Sequence, residues 1–253
     1  MPELRDPHPP WLEYSFYVHE RASVDGFAAL VRAAVRAGAT PVEVALYRGA
    51  GMRGRLTESL LEGWGEKPQR LEAPAVDEVE ALLRDPDVLV IAVDLENLKG
   101  LVPEAREEIR FCHPYEADAV RAGRIPFELR CDAELLDFAS APVLAKAGIA
   151  TYQRLRQLCE AVRPDYAACA EEENVDALLE LEAFAFTAFY VRTSFVGEER
   201  ARRLRALYAE AFVEDWADGF FVSTWAPGNP AGIGIPYEPT RAIEAGHIIA
   251  GLD

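Results

Sequence analysis

Leu12, Tyr14, Phe16 and Val18 alternate with Glu13, Ser15, Tyr17 and His19. That period of two predicts a half-buried strand over 12–18. Val24, Phe27, Leu30, Val31, Ala34 and Val35 then fall at helical spacing, with Ser23 placed to cap the start and Gly38 to stop the run. Residues 42–47 return to a strand pattern. A loop rich in Gly and Arg and a short helical piece at 56–61 follow. Residues 70–73 predict a third strand, and Val76, Val79, Leu82 and Leu83 mark a second helix that ends before Pro86. Residues 88–93 form a fourth strand, apolar on both faces.

The same order recurs downstream. Residues 125–131 predict a strand. Tyr152, Leu155, Leu158, Cys159 and Val162 make a helical stripe closed by Pro164. Strands at 166–170 and 187–194, a helix at 198–214 and a strand at 219–225 complete the series. A β-α-β-β-α-β order read twice predicts an α+β protein of two ferredoxin-like (split βαβ) halves in tandem, residues 11–115 and 124–253. The second half ends in an irregular tail.

Two short echoes support a duplication. Phe16-Tyr17-Val18 reappears as Phe189-Tyr190-Val191, and Asp94-Leu95-Glu96-Asn97 is matched by Glu171-Glu172-Glu173-Asn174. In the predicted fold the first pair lies on central strands and the second closes edge strands. Strand 88–93 would then be an edge with no polar face, which must be covered to avoid aggregation. The matching edge 166–170 is the expected cover, joining the halves into one continuous antiparallel sheet.

Charge narrows the classes of function. Asp and Glu number 43 against 26 Lys and Arg, a net charge of -17. Such a field repels nucleic acid and anionic membrane and steers basic partners inward. The start of the chain has no basic region leading into an apolar core, and no stretch is long enough to span a membrane. Cys112, Cys131, Cys159 and Cys169 have no paired spacing. These features predict a cytoplasmic, reduced protein without a metal or cofactor.

Two places carry candidate chemistry. Gly49-Ala50-Gly51-Met52-Arg53-Gly54 has the spacing of a dinucleotide loop, but the preceding strand alternates and Gly63 and Gly65 break the helix that follows. Arg48, Arg53 and Arg55 instead make a local basic inversion, suited to gripping an anion or an acidic group of a partner. Asp94 and Glu96 share one face of an extended chain, and Glu171 and Glu173 repeat the geometry. If the two edges paired, four carboxylates would converge at the seam and could hold a divalent cation or split their proton affinities. The chain carries no nucleophile elbow, zinc-protease motif or phosphate-binding lysine loop.

The expectation is a non-catalytic, acidic binding or inhibitory protein for a basic protein partner. Toxin-neutralising immunity proteins are the analogy, by charge alone. The alternative is a small-ligand-binding protein or a metal-assisted hydrolytic enzyme with its carboxylates at the seam.

Overall fold

The strands that the alternation predicts are formed, but they pair across the predicted halves. The computed structural model describes residues 11–19, 22–48, 68–96, 107–112, 124–132, 141–171, 188–223 and 239–251. In chain order the described elements are β1 (Trp11–His19), α1 (Ser23–Arg36), β2 (Thr40–Arg48), β3 (Gln69–Glu72), α2 (Val76–Leu83) and β4 (Val88–Glu96). They continue with β5 (Glu107–Cys112), β6 (Arg124–Asp132), α3 (Ala141–Val162), β7 (Tyr166–Glu171) and β8 (Ala188–Arg192). The last are α4 (Thr193–Val196), α5 (Glu198–Leu207), β9 (Phe212–Trp216), β10 (Gly219–Ser223) and α6 (Pro239–Ala250).

The chain is α+β, and its described strands form a ten-stranded sheet in the order β3-β2-β4-β5-β6-β1-β7-β8-β10-β9. Every described pairing is antiparallel. Period-two alternation divides the side chains between two cores. Leu12, Tyr14, Phe16 and Val18 of β1 meet Phe27, Leu30 and Val31 of α1 on one face, where Val79 and Leu83 of α2 and Leu155 and Leu158 of α3 also pack. On the other face, Tyr17, Tyr166, Phe189, Val191 and Phe220 pack beneath Leu204 of α5, Tyr208 just past its end and Ile248 of α6. Each such fully buried side chain contributes about 1.5–3 kcal/mol through removal from water.

Helix α1 shows how local sequence sets the packing. Gly26 lets the helix sit close to the sheet, since a Cβ there would lie 3.1 Å from Phe127 Cζ. The helix ends where Gly38 adopts φ 106. The Gly38 N–H donates to Val35 O and the Ala39 N–H donates to Ala34 O, each at 3.0 Å, which closes a Schellman motif. Ser23 is the first helical residue rather than the cap; Ala22 holds the cap position.

The predicted tandem halves are not how the strands pair. A ferredoxin-like half needs its first strand beside its third and fourth. Here β1 lies between β6 and β7, and β3 sits at one end of the sheet. The split βαβ device survives at a smaller scale. Parallel β3 and β4 are separated by β2, β6 and β7 by β1, and β8 and β9 by β10. Strand β1 of the first half is thus inserted into the second half.

The expected irregular tail holds the helix α6, and two further strands depart from the sequence pattern. Strand β5 pairs with both β4 and β6, so β5, and not β7, covers the apolar outer side of β4. Strand β9 occupies part of the predicted helix 198–214, because α5 stops at Leu207.

Candidate functional site

Charged residues occupy successive register positions across the sheet. Glu72 of β3 is in register with Glu43 of β2, and Glu43 with Asp94 of β4. Asp94 is in register with Glu108 of β5, Glu108 with Arg130 of β6, and Arg130 with Glu13 of β1. Residues directly opposite on paired strands share a face. Glu43, Asp94, Arg130 and Glu13 each fall on the polar parity of their strand's alternation.

The best-defined part of this line is buried. Glu13 has 1% of its side chain exposed and lies 3.2 Å from Arg130 Nε. The Ser15 hydroxyl donates to its other carboxylate oxygen at 3.3 Å. Glu43 is buried as well, and the Arg70 guanidinium of β3 donates to it. A carboxylate withdrawn from water must be compensated in this way, or its desolvation costs several kcal/mol, on the order of 3–5 when a partner is lost. The chemistry is charge compensation. Among the described residues, no group of three or more His, Cys, Asp or Glu is placed to hold a metal ion.

The predicted site residues fall apart. Asp94 and Glu96 share a face of β4, as expected of alternate residues. Glu171 lies in register with Leu12, and the row continues through Cys131 and Glu107 to Leu95. Four strand steps therefore separate Glu171 from the Asp94–Glu96 pair, about 19 Å at the usual spacing. The seam that would have gathered them does not form. Glu173, Arg53, Arg55 and the glycine loop lie outside the described residues. Arg48 is described at the end of β2, where its guanidinium donates to Asp85 and, at 3.2 Å, to Gln69 Oε1. Its charge is already matched within the chain.

The described thiols are buried and unreactive in character. Burial pushes the thiols of Cys159 and Cys169 above the ordinary cysteine range. The guanidinium of Arg154 on α3 donates to Cys131 Sγ at 3.3 Å and lies 5.9 Å from the centre of the Tyr14 ring. Burial likewise raises the Tyr14 phenol well above its usual value.

A second polar cluster, missed in the sequence, sits where α3 meets β9. Glu214 accepts hydrogen bonds from the Tyr152 hydroxyl, from Trp216 Nε1 at 3.4 Å and from Arg156 at 3.5 Å. Below it, Trp216 stacks on Phe221 at 4.9 Å and on Tyr190 at 5.5 Å between ring centres. On the opposite face of the same strand, Asp215 is bonded by Arg205, whose guanidinium covers the Phe220 ring at 4.1 Å. The predicted helix 198–214 ends at Glu214 with Asp215 just beyond it, which hides their alternation across a strand.

No family model matches this chain. No curated protein matches it either. Among solved structures it is similar to the Pseudomonas aeruginosa T6SS protein PA0821, with TM-score 0.47 and 11% identity over 99% of this chain and 76% of that one. A likeness at that level carries no argument about function. Among the described residues, no helix is long and apolar enough to cross a membrane.

Proposed function

We propose that this protein is a non-catalytic, acidic binding protein that engages a basic protein partner and inhibits it by covering its surface. The observation that supports this reading is how charge is distributed. Arginines at many points of the fold are neutralised inside the chain: Arg48 by Asp85, Arg70 by Glu43, Arg130 by Glu13, Arg192 by Asp165 and Arg205 by Asp215. Acids outnumber bases by 43 to 26, so pairing leaves a surplus of carboxylates. Glu72, Glu78, Glu96 and Glu210 are exposed. A surface of this kind accelerates and orients encounter with a positive patch.

The test is affinity purification from the source cell, followed by identification of what is retained. The expected result is one saturable partner with an isoelectric point well above neutrality. Retention of only acidic or neutral proteins would remove the reading.

A further inference from the structure

We propose that the outer edge of β9 receives an extended, lysine- or arginine-bearing segment of the partner as an eleventh strand of the sheet. This rests on the reading of the chain as a binder of a basic protein, and adds where and how the partner docks.

Among the described residues, strand β9 ends the sheet. It joins β10 through a two-residue turn, with Trp216 opposite Gly219. In such a hairpin the closing pair is hydrogen-bonded, and bonding then alternates along the strands. Phe212, Glu214 and Trp216 therefore turn their backbone groups toward β10. Val213 and Asp215 turn theirs outward, where an incoming strand would meet them.

Charge selects the occupant. Residues 209–218 hold Glu210, Glu214, Asp215 and Asp218 and no Lys or Arg. Because neighbours on a strand face opposite ways, Glu214 lies on the α3 side and Asp215 on the α5 side. An added strand would meet a carboxylate on each of its faces. A second copy of this chain would set Glu214 and Asp215 against acids of its own kind, and like charges opposite one another are destabilising. The pair Asp215 makes with Arg205 is no obstacle. Asp215 is 79% exposed, and an ion pair at such a site contributes little; Glu214, 34% exposed, keeps its bonds to Tyr152, Trp216 and Arg156. The opposite edge is a poorer dock. Strand β3 has four residues and carries Arg70, which is held by Glu43.

The probe is an eight-residue peptide of alternating lysine and valine, compared with a peptide of equal charge in which proline replaces valine. Binding is read at low salt by fluorescence anisotropy, and amide hydrogen exchange is read on the unaltered protein with saturating peptide. The expected results are at least tenfold tighter binding of the lysine–valine peptide and slowed exchange at Val213 and Asp215. Val213→Pro, which removes an outward-facing N–H, should weaken binding at least tenfold. Unchanged exchange at Val213 and Asp215, or equal binding of the two peptides, would overturn docking on this edge while leaving the basic-partner reading intact. Failure of both peptides to bind at low salt would overturn both.

Discussion

At Gly219 the chain has no room for a side chain. A Cβ there would come within 2.1 Å of Val191 O and 2.8 Å of Arg192 Cα, both backbone atoms that cannot step aside. Gly219→Ala should destabilise the protein by about 3 kcal/mol, measured as a lowered denaturant midpoint. Arg163 is the converse case. It holds φ 54 just past α3, a conformation that costs a non-glycine residue about 1 kcal/mol. Arg163→Gly should recover up to about 1 kcal/mol by the same measurement. Buried acids of another kind set the alkaline behaviour. Burial raises Tyr14, Tyr166 and Cys169 above their ordinary values. Unfolded cysteine and tyrosine release their protons near about 8.5 and 10, while the folded groups keep theirs. The unfolded state therefore binds fewer protons above those values, so stability present at neutral pH falls as pH rises. Denaturant midpoints taken between pH 8 and 11 should decline steadily; a flat profile would mean that these groups are not buried as described.

At the scale of elements, the legible parts were those whose neighbours in sequence were also their partners in structure. The strand alternation of 12–18, the stripe of α1 and its stop at Gly38 were read correctly because each is a local pattern. Strand β9 was misread because Tyr208, Ala211 and Phe212 continue the helical spacing of α5, although the helix has ended at Leu207. Strand β5 had a usable signal, Ile109 and Phe111 alternating with Glu108 and Arg110, but it is only six residues long. The site failed for a related reason. That Asp94 and Glu96 share a face is a property of one strand, whereas bringing Glu171 to them required a pairing of β4 with β7 that β5, β6 and β1 pre-empt. The buried pair was legible only as polar residues on the proper parity, with no sign that Arg130 would meet Glu13. Removing one partner should expose its importance. Arg130→Met should cost about 3 kcal/mol by leaving the Glu13 carboxylate buried and uncompensated, and adding Glu13→Leu should restore most of that loss.

At the scale of the whole molecule, the described strands form one ten-stranded sheet with a core on each face, α1, α2 and α3 lying over one and α4, α5 and α6 over the C-terminal part of the other. The arginines are drawn into pairs within this framework, and the net charge of -17 remains for encounter with a partner. The most direct test is the association rate constant of the purified partner, measured by stopped flow from about 20 to 500 mM salt. Steering by opposite charge predicts a rate that falls at least tenfold across that range while the dissociation rate changes little. An association rate independent of salt would contradict the account.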